Sequence, residues 1–229
     1  MTTLIPLLCF LSPLMAEETP YEPTTNYEKL QIQGWSITIN KKLLHKDSKI
    51  GRASIELLSV KLYDIKRVIP KAMLPKLQQA PIWLEVDGGK RAAAEYHPSR
   101  GWLTNNGFNP EKEKSVELRA RRFLSWSQNQ PSMVLHELAH AYHHRIIGFR
   151  EPRIKTAFEN AKKSGKYEKV LNYRSKEVRH YALNDHKEYF AEMTEAFFGV
   201  NDFYPFVRAE LKVYDPGMFK LLMDIWNGK

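Results

Sequence analysis

Cysteine is almost missing from this chain: there is one, Cys9, in 229 residues. It lies in an apolar N-terminal stretch, so residues 17–229 hold no disulfide, no cysteine nucleophile and no thiolate metal ligand. Also missing is an apolar run of the roughly 20 residues that a bilayer-spanning helix needs. The stretch from Met1 to Ala16 is uncharged, is interrupted by Pro6 and Pro13, and ends in a small residue ahead of Glu17 and Glu18. That pattern predicts a signal peptide over residues 1–16, cleaved near Ala16, and hence a secreted or periplasmic protein with no transmembrane anchor. Acidic residues are outnumbered, 26 against 35 basic, for a formal charge of +9. The basic residues gather at 119–122 and between Lys155 and Arg179. They imply a solvated basic face, or one that meets an acidic partner such as an envelope polymer. No nucleic-acid-binding motif accompanies them, so DNA and RNA are not expected partners.

Apolar residues make up 43% of the chain, enough for the core of one ordinary domain. Residues 17–33 are rich in Pro and Thr and read as a linker or loose arm, which leaves a single domain over 34–229. Alternation predicts a strand from Trp35 to Asn40. Ile55, Leu58, Leu62, Ile65 and Ile69 recur at helical spacing up to Pro70. Short strands follow around 81–86, 92–97 and 114–120, the second leading into a turn-rich loop. The strongest helix spans 131–147, with Pro131 at its first position and Gly148 just beyond its end. Helical turns around 152–164 come next. A second strong helix opens at Asn184 and Asp185 and closes at Gly199, and a last one starts near Pro216. Strands early and helices late predict an α+β fold with a small N-terminal mixed sheet.

The first strong helix carries His136-Glu137-Leu138-Ala139-His140. At about 100° per residue, Val134, Leu135, Leu138, Ala139, Ala141, Tyr142 and Ile146 share a core-facing arc, with His136 and His140 near the opposite side. Two imidazoles one turn apart can both reach one zinc ion at about 2.0–2.1 Å. Glu137, about 100° further round, can reach a water on that ion without displacing a ligand. The third ligand must come from elsewhere. A metzincin continuation would need Gly and His where this chain has His143 and Ile146. Downstream, Glu188, Glu192 and Glu195 share one helical stripe, and His186 stands beside it. The same stripe also reads as a solvent face opposite Tyr189, Met193, Ala196 and Phe197, with Asp185 and Glu188 as a capping pair. Periodicity leaves these alternatives open.

His136-Glu137-Leu138-Ala139-His140, followed by Glu188-Tyr189-Phe190-Ala191-Glu192 with Tyr181 seven positions before Glu188, resembles the lethal-factor-like gluzincins. These are zinc peptidases that include the anthrax lethal factor catalytic domain and the Pro-Pro endopeptidases. The resemblance covers roughly residues 130–200; Ala139 stands where the family often has Gly. It implies a zincin-like fold and one catalytic zinc held by His136, His140 and Glu188. It implies Glu137 as the general base that activates water against a peptide carbonyl, and Tyr181 as the hydroxyl that assists the developing oxyanion. Glu192, one turn beyond Glu188, is then placed to orient a ligand histidine. His143 and His144 are surplus to such a site and are expected on its rim, and His97 in a turn. Two other functions remain compatible with the sequence: a zinc-binding envelope protein without hydrolytic activity that docks through its basic face, and a cell-wall amide hydrolase using the same zinc site.

Overall fold

Two residues with positive φ, Gln33 at 53° and Gly34 at 96°, make the first reversal of the chain. This is the tight turn whose twist suits paired strands, and Gly34 adopts it without strain at Cβ. It joins β1 (Tyr27–Ile32) to β2 (Trp35–Asn40), antiparallel from Tyr27 opposite Asn40 to Ile32 opposite Trp35. Residues 27–32 are thus a strand and not part of the loose arm expected over 17–33. As an edge strand β1 is largely solvated, so its polar composition hides its pairing. The computed structural model describes residues 20–45, 48–87 and 92–229. The expected signal peptide and Cys9 lie outside the described residues.

Helix α1 (Lys49–Val68) begins at Ser48, whose Oγ accepts the Gly51 N–H at 3.0 Å, and stops short of Pro70. It is followed by α2 (Leu74–Leu77), β3 (Ile82–Glu85) and β4 (Ala94–His97). Where a loop is expected, Ser99 caps a short helix, α3 (Arg100–Asn105), by accepting the Trp102 N–H at 3.2 Å. Strand β5 (Ser115–Arg119) leads into α4 (Ala120–Trp126). The remainder is helical apart from the small hairpin of β6 (Val170–Leu171) and β7 (Glu177–Val178). It comprises α5 (Met133–Tyr142), α6 (Pro152–Ser164), α7 (His186–Phe198), α8 (Arg208–Tyr214) and α9 (Pro216–Trp226).

The fold is α+β. Its five-stranded sheet runs β1-β2-β3-β5-β4, with β2, β3 and β5 parallel and both edge strands antiparallel to their neighbours. One face carries Ile37, Ile39, Ile82, Leu84, Val116 and Leu118 into a core completed by Leu58, Leu62 and Ile65 of α1. The other face carries Asn40, Glu85, Glu117 and Arg119 around the edge-to-face pair of Tyr27 and Trp83. Arg119 is buried there against Glu117 and Glu95, so it is no part of an exposed basic face. Helix α5 packs between edge strand β4 and α7, which brings the two helix motifs together. Among the described residues, no helix is long and apolar enough to cross a membrane.

Candidate metal centre

The N-terminus of α7 is shaped by Asp185, whose Oδ1 accepts the N–H groups of Lys187 at 2.7 Å and Glu188 at 3.0 Å. The cap engages the backbone of Glu188 and leaves its carboxylate to reach α5. Glu188 Oε2 lies 3.1 Å from His136 Nε2 and 3.2 Å from His140 Nε2, and the two imidazole nitrogens are 3.1 Å apart. Two bonds of about 2.0–2.1 Å set at a tetrahedral angle end about 3.3–3.4 Å apart. The triangle of donor atoms is therefore within a few tenths of an ångström of one face of a zinc coordination tetrahedron. His136, His140 and Glu188 could hold one ion.

Hydrogen bonding sharpens that fit. His136 Nδ1 lies 2.7 Å from Glu195 Oε1, and since a carboxylate only accepts, the ring proton belongs on Nδ1. Nε2 of the neutral ring is then a bare acceptor facing the acceptor Glu188 Oε2. Two lone pairs at 3.1 Å repel unless a proton or a metal cation lies between them. Burial opposes a charge on His136, yet its bonds to Glu188 and Glu195 hold its pKa well above the usual imidazole range. Burial likewise raises the Glu188 carboxyl, but the His136 and His140 rings outweigh this and bring it well below the usual carboxylate range. Both shifts say that positive charge is favoured at the centre of the triangle.

Glu195, rather than Glu192, is the carboxylate that orients His136: Glu192 Oε1 stands 3.7 Å from Nδ1. Glu192 and Glu195 are both buried, so the stripe they form with Glu188 faces inward, not toward solvent. Burial raises both carboxyls, with the Glu195 charge adding to it at Glu192 and the His136 ring partly offsetting it at Glu195.

Glu137 and Tyr181 line the cleft above the triangle together with His136. Burial raises the Glu137 carboxyl, an effect partly offset by the histidines and by the Tyr96 backbone N–H of β4. Tyr181 is 47% exposed and begins a single 3-10 turn, Tyr181–Leu183. That turn is anchored by His180, which is fully buried, stacks on Phe203 and accepts the Ala182 N–H on Nδ1 at 3.0 Å. Burial lowers the His180 pKa to about 3, so the ring stays neutral and able to accept. The two lobes of the cleft, about 420 and 310 Å³, meet at His136, Glu137, Tyr181 and the edge strand.

Four other histidines serve the scaffold. His186 Nε2 bonds the Phe149 carbonyl at 2.8 Å and lies outside the triangle. His143, expected on the rim, is instead fully buried among Phe149, Phe190 and His186. It lies seven residues after His136, on the same side of the helix, where Phe149 and the start of α7 cover it; the chain widens into a π-helix over His143–Ile147. His144 bonds the Tyr96 hydroxyl at 2.9 Å. His97, expected in a turn, closes β4 and pairs with buried Glu117 at 3.0 Å. Sequence reasoning missed the roles of His180 and Tyr96. For His180 a signal existed, its place immediately before Tyr181. Comparison of the chain with known protein families, with characterised proteins and with solved structures gives no match.

Proposed function

We propose that the chain is a zinc-dependent endopeptidase of the lethal-factor-like gluzincin type, with a zincin-like fold. The observation that carries this reading is the His136–His140–Glu188 triangle, two imidazole nitrogens and a carboxylate oxygen with zinc-sized edges, next to a carboxylate and a phenol that are not its ligands. Zinc, when bound, supplies Lewis acidity that brings a water's pKa toward neutrality and polarises a carbonyl.

The chain's own groups do the rest. Glu137, with its pKa raised by burial, accepts the proton of the attacking water and returns it to the leaving amine. Tyr181 donates its hydroxyl hydrogen to the oxyanion that develops on the carbonyl oxygen. Glu195 holds the His136 ring in the tautomer that presents Nε2. Edge strand β4 can receive an extended peptide. The bonds Arg119 N–H to Ala93 O and Lys114 N–H to His97 O place residues 93, 95 and 97 toward β5, which turns the backbone of Ala94 and Tyr96 to the cleft.

The test is digestion of casein and of a peptide library with and without chelator, beside Glu137→Gln, with products sequenced by mass spectrometry. Chelator-sensitive cleavage of peptide bonds that the variant lacks is the expected result. Equal cleavage by the variant sinks the mechanism. Bound zinc without cleavage of any substrate would favour a zinc-binding envelope protein, and release of cell-wall fragments alone would favour the amide hydrolase.

A further inference from the structure

The larger lobe of the cleft has features that the metal site does not use. Its floor is acidic: Glu192, Glu195 and Asp202 line it, and each is only 3–4% exposed. Glu195 gives one oxygen to His136. Its other oxygen, and Oε2 of Glu192, have no hydrogen-bond partner among the described residues. Asp202 Oδ2 accepts the Gln130 side-chain amide at 3.3 Å. None of the three carboxylates pairs with a lysine or arginine of the described residues. A buried carboxylate oxygen without a donor is costly, and such atoms are rare in folded proteins unless something polar from outside meets them.

The walls complete the picture. Trp126, Tyr173 and Phe203 present aromatic surface, Trp126 being 44% and Tyr173 38% exposed. Aromatic faces attract a cation and cover an aliphatic stem, and the carboxyl oxygens without partners would accept from an ammonium or guanidinium group, whereas an anionic side chain brings no donor to them. Exposed Arg174 stands at the mouth, its guanidinium 5.0 Å from the Tyr173 ring centre. It shows that this wall already holds a cation of the chain's own.

Strand β4 gives the lobe its place in a substrate. It runs from the acidic lobe, lined by Ala92, Ala93 and Ala94, to the smaller lobe, lined by Tyr96 and Pro98. A peptide paired antiparallel to it, the more stable arrangement, has its C-terminal half over the acidic lobe. We propose that this lobe is a specificity pocket for a cationic side chain, lysine or arginine, on the residue that follows the cleaved bond. The proposal rests on the peptidase reading and deepens it.

The test uses N-acetylated peptides that differ only at the residue after the cleaved bond: lysine, arginine, norleucine or glutamate. Wild-type kcat/KM is expected to be at least tenfold higher for lysine and arginine than for norleucine, with glutamate lowest. Asp202→Asn should bring the lysine-to-norleucine ratio toward one, and Arg174→Ala, a surface change that does not threaten folding, should raise it. Equal rates for lysine and norleucine in the wild type, or a cationic preference at another position or for a free N-terminal amine, overturns the proposal while leaving the peptidase reading intact. The same peptides are titrated against Glu137→Gln by calorimetry, so that binding is read without turnover. Tenfold tighter binding of the lysine peptide supports the pocket even where no bond is cut, and equal binding overturns it. Zinc is counted in parallel by mass spectrometry: a second equivalent, lost in Glu192→Gln, would assign the acidic floor to a metal ion and overturn the proposal.

Discussion

Among the described residues, buried histidine and glutamate side chains meet in two regions, and the molecule treats the two in opposite ways. On the outer face of the sheet, Glu117 meets His97 at 3.0 Å, Lys112 at 3.0 Å and Arg119 at 2.7 Å, while Lys112 and Arg119 also serve Glu85 and Glu95. Burial alone would raise the Glu117 carboxyl, but these three partners bring its pKa down to about 2. Between α5 and α7, Glu188, Glu192 and Glu195 meet only imidazoles and no lysine or arginine among the described residues. The first cluster pairs its carboxylates with a lysine and an arginine of the chain and is a piece of scaffold. The second is left short of positive charge in a cleft open to solvent. A buried His–Glu contact is therefore no mark of a functional site by itself; the missing countercharge is.

That contrast can be broken most directly at the triangle. Glu188→Ala should abolish stoichiometric zinc and all hydrolysis, whereas His186→Ala should keep its zinc, because His186 is spent on the Phe149 carbonyl. Elemental analysis of the purified variants reads both, and the reverse result would move the third ligand. Glu137→Gln should retain zinc while kcat falls about 10²–10⁴-fold, as loss of a general base does. Tyr181→Phe should lower kcat by about 10²–10³-fold with little change in KM, since its bond forms to the transition state; an equal rise in KM would make it a binding residue. Glu195→Gln should weaken zinc about 10–100-fold, and Glu192→Gln less, in line with their distances from His136 Nδ1.

The scaffold cluster should respond in the opposite currency, with stability changing and zinc retained. Glu117 has a folded-state pKa of about 2 against an ordinary 4.5, a depressed value. Its stabilisation, on the order of 3 kcal/mol, is complete above pH 4.5 and disappears as pH falls through about 2. Urea melts of wild type and Glu117→Gln should therefore differ near pH 6 and converge near pH 2. A gap that persists at pH 2 would place the defect in packing instead.

The same contrast accounts for what the sequence could and could not convey. Helix α5 was legible because its apolar residues lie on one arc and His136 and His140 on another. Strand β2 was legible because Trp35–Asn40 alternates and its parallel neighbour buries it. Helix α7 was not, beyond its existence: every residue from Tyr189 to Phe197 is buried, so it has no wet face for periodicity to find. Which way the glutamate stripe points was decided by α5, α6, α8 and α9 packing around it. His143 escaped prediction because its burial comes from Phe149 and from His186 and Phe190 of α7, which the periodicity of its own helix does not reveal. The clustering of Glu117, Arg119 and Lys112 is not legible in the sequence, since nothing local reveals that three strands and a loop bring them together.

Edge strand β4 is short, and with the Tyr96 N–H turned to Glu137 it has less to offer a peptide than its length suggests. What remains toward the cleft is both backbone groups of Ala94 and the carbonyl of Tyr96. On the proposed function, a peptide substrate would be gripped there by little more than one rung of ladder, so its backbone would supply register and its side chains would have to supply residence time. Short unadorned peptides should accordingly leave quickly, and an inhibitor gains more from filling the lobes than from lengthening along the strand.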